Sequence, residues 1–155
     1  MIGGQMNNEF SEREARVRES FSRQGFMRHL GAEITKLGPG ECEIQVPYRE
    51  EMTQQHGYFH AGVTAAIADS ACGYAAYGLM PATSSVLTVE YKINLVAPAA
   101  GEILIARARV LRSGKTLKIC AADVFAVKDG RETLCATTLS TIMAMQDRSD
   151  MVAKS

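Results

Sequence analysis

Along this chain the spacing of apolar and polar residues changes period, and each change marks an element. Residues 9–30 are rich in charge and periodic, with apolar points at Phe10, Val17, Phe21 and Phe26, which predicts an amphipathic N-terminal helix or two short ones. Residues 32–37 alternate, halt at Gly38-Pro39-Gly40 and alternate again over 41–47, the pattern of a hairpin. Residues 61–79 then lose polarity on every side, with Ala61, Gly62, Ala65, Ala66 and many further small residues. They read as a helix of about five turns, and a helix without a wet face is expected to be enclosed by other elements. Beyond Pro81 the period becomes two. Residues 86–95 set Leu87, Val89, Tyr91, Ile93 and Leu95 on one face and Thr88, Glu90, Lys92 and Asn94 on the other. Three further strands are predicted at 103–112, 117–127 and 133–145, parted by turns at Pro98–Gly101, Ser113-Gly114 and Lys128-Asp129-Gly130.

Short connections of this kind ask for antiparallel neighbours, so the last four strands read as a meander. The expected fold is α+β: an antiparallel sheet of five or six strands curled around one long central helix. At 155 residues the chain suits a single domain, 1–155. Within it we expect a helical segment at about 9–30, a core at about 31–145 and a flexible tail at 146–155.

Charge sharpens this picture. Seventeen basic and seventeen acidic residues cancel, which gives no electrostatic footprint for nucleic acid. Within residues 52–89, however, the only formal charge is Asp69. That stretch is too rich in Gly, Ala, Ser, Thr, Gln and His for a lipid-facing span. No basic segment followed by an apolar one opens the chain, so the expectation is a cytoplasmic protein without membrane or nucleic-acid partners. Cys42, Cys72, Cys120 and Cys135 form no C-x-x-C pair and read as reduced core thiols.

The candidate chemistry lies in the charge-free run. The N–H groups of Ala61 and Gly62 open the central helix, where unpaired amides and the helix dipole suit a polarised carbonyl or an oxyanion. Gly62, lacking a Cβ, would let a substrate approach the backbone. Asp69 follows two turns later. A buried carboxylate needs a partner or a chemical role. It either pairs with an arginine of the strands or caps a neighbouring turn, or it activates or orients water in a cleft. His56 and His60 are four apart, but Gly57 between them argues against helical metal-ligand spacing, and no metal is expected.

The run Gln54-x-x-Gly57-x-x-His60-Ala61-Gly62-x6-Asp69, continued by Val86–Glu90, Pro98 and Arg112-Ser113-Gly114-Lys115-Thr116, resembles the PaaI-like acyl-CoA thioesterases of the hotdog superfamily. The resemblance covers roughly residues 31–144. It implies a hotdog fold and hydrolysis of an acyl- or aryl-CoA to free acid and CoA, with coenzyme A as part of the substrate and no separate cofactor. It implies that Asp69 is general base or nucleophile, that the Ala61 amide polarises the thioester carbonyl, that Gln54 helps hold that carbonyl or the water, and that Thr88 orients the water or Asp69. His60 is expected to orient the site. Arg112, Gly114, Lys115 and Thr116 would meet the CoA phosphates. Ala61 and Gln54 stand where the family usually has Gly and Asn. The resemblance further implies a site assembled across a homodimer, with dimers pairing to a homotetramer. A non-catalytic hotdog module that binds acyl-CoA as sensor or carrier is the alternative; the Asp-x4-His pattern of hotdog dehydratases is absent.

Overall fold

The computed structural model describes residues 2–148 and 150. Two helices, α1 (Ile2–Arg23) and α2 (Gly25–Leu30), precede strands β1 (Glu33–Gly38) and β2 (Glu41–Pro47); a short turn, Glu50–Met52, leads to helix α3 (Ala61–Tyr77), and β3 (Ser85–Leu95), β4 (Ile103–Ser113), β5 (Leu117–Lys128) and β6 (Arg131–Met145) complete the chain. The six strands form one antiparallel sheet in the order β1-β2-β4-β5-β6-β3. This is the α+β hotdog arrangement that the pattern and the resemblance imply.

The strands lie within a few residues of their expected bounds, but the meander needs correction. β3 pairs with β6, and β4 pairs with β2 and β5. A two-residue turn forces neighbours, as at Asp129-Gly130, where both residues have positive φ (51° and 73°) and Lys128 faces Arg131. The seven-residue link from β3 to β4 forces only opposite direction. It carries the chain across the end of the sheet, a span of roughly 14 Å at the usual strand spacing.

Alternation in β3 is also interrupted. Thr88 faces Ile142 and Glu90 faces Thr141, so Val89 is an extra, bulged residue. Directly opposed residues share a face, and Ser140, Ile142 and Ala144 are buried on the helix side of β6. Val86 and Thr88 therefore turn towards α3, and so do Tyr91 and Ile93 beyond the bulge. The two faces drawn from strict alternation hold only for half of the strand.

The core lies between α3 and the concave face of the sheet. Ile44, Val46, Leu104, Ala106, Val124 and Ile142 pack against Ile67, Ala68, Ala71 and Cys72, all at 0–1% exposure. Small side chains let the helix settle into the curved sheet at short range. All four cysteines are free and buried. Burial pushes the thiols of Cys42 and Cys72 up to about 12 and that of Cys120 to about 11, so they serve as packing.

The expectation of full enclosure is only partly met. Eleven of the 17 residues of α3 are buried; the other six, Ala61, Gly62, Ala65, Ala66, Asp69 and Ser70, form a stripe that the single chain leaves partly open. The sheet covers one side of α3, and α1 covers the other side only near its C-terminal end. There Tyr74 Oη lies 3.2 Å from Ser20 Oγ, accepts from Gln24 Nε2 at 3.0 Å, and its ring meets Phe21 edge-on at 5.5 Å.

The N-terminal segment is two helices, with α1 starting well before residue 9 and α2 closed by Gly31 at φ 67°. Val17 is buried as the pattern asks, but Phe26 is 57% exposed and Met27 and Leu30 take its place in the core. Of the expected tail, Asp150 pairs with Arg23 at 2.8 Å; 149 and 151–155 lie outside the described residues. No described helix is long and apolar enough to cross a membrane.

One contact ties α1 to the end of α3. Arg16 Nη2 donates to the carbonyls of Tyr77 (3.2 Å) and Met80 (2.8 Å), with its guanidinium 4.6 Å over the Tyr77 ring. A cation at a helix C-terminus satisfies orphan carbonyls and opposes the dipole. Arg16→Ala is expected to lower stability by about 1–3 kcal/mol, measured by denaturant unfolding, with Arg16→Lys recovering less than half because it lacks the planar fork.

Candidate active site

The loop entering α3 is pinned along its length. Gln54 N–H donates to Tyr58 O (2.9 Å), Gly57 N–H to Gln54 O (2.9 Å), Phe59 N–H to Ala99 O (3.0 Å) and His60 N–H to Met52 O (2.8 Å). Gly57 sits at φ 79°, where a side chain would be strained. The Gln54 side-chain oxygen accepts from His56 N–H, which leaves its NH2 as the free donor of that side chain.

His60 is the N-cap of α3: its Nδ1 accepts from Gly62 N–H at 2.8 Å. An accepting Nδ1 presents its lone pair to the helix, so the ring's N–H is on Nε2. Two expectations change. The Gly62 amide, anticipated as a second donor to substrate, is already committed. The absence of a Cβ at Gly62 serves the cap, since a Cβ there would lie 2.9 Å from His60 Nδ1. Val63 and Thr64 donate to His60 O at 2.9 and 3.3 Å. Among the described residues, Ala61 N–H is the one amide of this first turn with no intrachain acceptor.

That amide opens onto a cleft of about 480 Å³ lined by Gln54, Tyr58, Ala61, Thr64, Leu95, Pro98 and Cys135, among others. Cys135 donates its thiol to Val124 O (3.3 Å), and burial raises its pKa, so it is not poised as a nucleophile. Thr64, 1% exposed, was not singled out in the sequence. Its place three residues after Ala61, on the same helix face, is the signal that would have found it.

Asp69 lies elsewhere. It is eight residues further along α3, about 12 Å along the axis from Ala61, on the open stripe. Its Oδ1 accepts from Thr88 Oγ1 at 2.8 Å, a contact that the Val89 bulge makes possible by keeping Thr88 towards the helix. No described residue forms an ion pair with it, so the structural pairing with a strand arginine does not occur. Burial pushes its carboxyl above the usual aspartate range, and the Thr88 bond offsets part of that shift. One chain therefore joins Asp69 to Thr88, and Ala61 to Gln54 and His60, without joining the two groups.

The β4–β5 turn lies beyond the row Thr88–Ile142–Lys118, at the Asp69 end of the sheet. Gly114 N–H donates to Leu117 O (2.9 Å), and a Cβ at Gly114 would lie 2.7 Å from that same oxygen. Buried Lys118 reaches Gly114 O with Nζ at 3.2 Å, and Thr116 O accepts from Ala144 N–H (2.8 Å). Arg112, opposite Ile119, faces the outer side of the sheet. Arg112, Lys115 and Thr116 are exposed, and neither cation has an acidic partner among the described residues. No group of three or more His, Cys, Asp or Glu converges as a metal site among those residues.

Residues 56–133 match the family model of the thioesterase superfamily. A crystal structure of a thioesterase family protein from Silicibacter pomeroyi is 46% identical, covers 86% of this chain and 98% of its own, and superposes with a TM-score of 0.85. The E. coli PaaI protein, from the phenylacetic acid degradation operon, shares the fold at a TM-score of 0.77 and 18% identity, over 87% of this chain and 94% of its own. Human acyl-coenzyme A thioesterase 13 is 30% identical over 103 residues, 65% of this chain and 73% of that protein. With the family model, the sheet and the central helix in agreement, the chain belongs to the thioesterase superfamily and is a thioester hydrolase of the hotdog fold.

Proposed function

We propose that this enzyme hydrolyses acyl- or aryl-CoA thioesters to free acid and CoA, with Asp69 as general base or nucleophile. The observation that carries the reading is Asp69 itself: a half-buried carboxylate with no cationic partner among the described residues, held by one hydroxyl on an open helix face. The similarity to a protein named acyl-coenzyme A thioesterase supports the substrate class.

The working unit in this reading is a homodimer. Among the described residues β3 is hydrogen-bonded only to β6, and Leu87, Val89, Tyr91, Leu95 and Val96 are 46–56% exposed along it. An open apolar edge of this length needs cover. A two-fold axis through the middle of β3 would pair two such edges antiparallel. It would bring Thr88 and Asp69 of one copy towards Leu95 and Ala97 of the other, where the cleft beside Gln54 and Ala61 opens. The open stripe of α3 would be covered in the same step. Pairing of dimers to a tetramer, and a cytoplasmic setting in which the cysteines stay reduced, belong to the same reading.

The thioester oxygen then accepts from Ala61 N–H at the positive end of α3, aided by the Gln54 NH2. Asp69 of the other copy approaches the carbonyl carbon. As general base it takes a proton from water while the new C–O bond forms; collapse breaks the C–S bond, and the proton ends on the CoA thiolate. As nucleophile its carboxylate oxygen bonds the carbonyl carbon and the C–S bond breaks, expelling the CoA thiolate. Water then opens the mixed anhydride to the free acid and the regenerated Asp69 carboxylate, and the proton released goes to the thiolate. Thr88 occupies Oδ1 and leaves Oδ2 for the reaction. His60 positions the helix entrance, with the Gly62 amide held in its cap. The unpaired Arg112 and Lys115, beside Gly114 and Thr116, suit the CoA phosphates. Single-turnover hydrolysis in 18O-labelled water separates the two roles of Asp69: label in the Asp69 carboxylate identifies the nucleophile.

Asp69→Asn is expected to lower kcat by about 10²–10⁴-fold, read as free-thiol release; acyl-CoA binding with no hydrolysis by the wild type would instead identify a sensor or carrier. Because the folded-state pKa is raised, the folded protein binds this proton more tightly than the unfolded chain does. Asp69 therefore costs stability as pH rises through that raised pKa, and Asp69→Asn should melt at or above the wild-type temperature at pH 7. The acid limb of the wild-type rate should lie above the usual aspartate range.

Ala61→Pro deletes the free donor at the first helical position, which accepts proline; His60, at φ −63° and ψ 140°, already has the backbone that a following proline requires. We expect a folded protein slowed by about 10²–10³-fold. Mixing Asp69→Asn and Ala61→Pro subunits should restore activity, since one site of each mixed dimer is intact; no recovery after subunit exchange would place the whole site within one chain.

A further inference from the structure

We infer that Thr64 is a specificity-determining residue, whose hydroxyl hydrogen-bonds an oxygen function on the acyl group, carried by the second carbon beyond the thioester carbonyl. The inference rests on the thioester-hydrolase reading above and names the acyl class.

Two independent observations meet at this residue. Thr64 lines the cleft next to Ala61 and Gln54. It is 1% exposed, and its Oγ1 is buried with no hydrogen-bond partner among the described residues. A threonine in a helix commonly bonds back to the carbonyl four residues earlier. Here that carbonyl, His60 O, accepts instead from the amides of Val63 and Thr64. The neighbouring thiol of Cys135 is spent on Val124 O. A sealed hydroxyl without a partner is destabilising, and native folds leave few of them without a reason. Valine has nearly the same shape and would fill the position without that cost.

The position says what the hydroxyl could meet. Thr64 is three residues from Ala61 on the same face of α3, about 4.5 Å along the axis. With the thioester oxygen held by Ala61 N–H, an acyl group in the cleft meets the apolar side chains of Leu95 and Pro98, and Thr64 adds a buried hydroxyl to the same lining. It suits an oxygen two carbons beyond the carbonyl carbon, a placement shared by the β-carbon of an aliphatic chain and the ortho carbon of an aromatic ring. A hydroxyl donates and accepts, so either an alcohol or an oxo group is matched. A site that hydrogen-bonds a substrate oxygen discriminates against the analogue without it, because its own polar group is then left unpaired.

The test compares matched substrates, 3-hydroxyhexanoyl-CoA against hexanoyl-CoA, and 2-hydroxybenzoyl-CoA against benzoyl-CoA. The wild type is expected to prefer the hydroxylated member of at least one pair by about tenfold or more in kcat/KM. Which pair shows it tells an aliphatic from an aryl substrate. Thr64→Val should collapse that ratio towards one while melting at or above the wild-type temperature; Thr64→Ser should keep the ratio. An unchanged ratio in Thr64→Val, or a wild type with no preference in either pair, overturns the inference while leaving hydrolysis in place. If no substrate releases thiol, the hydrolase reading fails separately. The inference is then read from dissociation constants of the same pairs as ketone analogues, with a methylene replacing the thioester sulfur: a preference lost in Thr64→Val upholds it, and equal constants overturn it.

Discussion

A curved sheet can cover only one side of a helix, and most of this molecule follows from how the other side of α3 is treated. Small side chains let Ile67, Ala68, Ala71 and Cys72 sit against the concave strands with no gap for water. Helix α1 closes the opposite side only near the C-terminal end, through Tyr74 and the Arg16 clamp. What remains open is the stripe from Ala61 to Ser70. Both candidate catalytic groups, the Ala61 amide and the Asp69 carboxylate, lie on that stripe, because only there can α3 meet anything outside its own chain.

The two ends of the stripe are prepared by opposite electrostatics. At Ala61 the helix dipole and a free N–H favour negative charge, and the His60 cap keeps the neighbouring amide from competing. At Asp69 partial burial disfavours the ionised form, so the carboxylate is a stronger base than one in water. Thr88 limits this effect with one charge-assisted hydrogen bond at 2.8 Å. A free arginine in its place would lower the pKa and quench the base, which gives the empty surroundings of Asp69 in the 52–89 run a chemical sense beyond apolar packing.

Element positions were legible in the sequence because period and turn chemistry are local. Strand β2 at 41–47 and the start of α3 at Ala61 come directly from alternation and from the run of small residues. The pairing of β3 with β6 was not legible, since Pro98–Gly101 constrains the direction of the next strand and not its neighbour. Phe26 was misplaced because one apolar residue per turn cannot choose between itself and Met27 when the helix breaks at Gln24. At the site, the motif marked Asp69, Gln54, His60, Ala61 and Thr88. The committed Gly62 amide and the buried Thr64 hydroxyl were hidden, one set by a cap bond between side chain and backbone, the other by the lack of a partner among the described residues.

The extra residue at Val89 acts as a phase slip within β3. Upstream of it, the inward phase delivers Thr88 to the Asp69 carboxylate; downstream, the same strand is free to present Tyr91 and Leu95 on its own terms. An unbroken strand would tie those two assignments together, so that any change of phase suiting one end would invert the other. The slip lets a single edge strand hold Thr88 against the helix at one end and set the phase of its exposed apolar residues separately at the other.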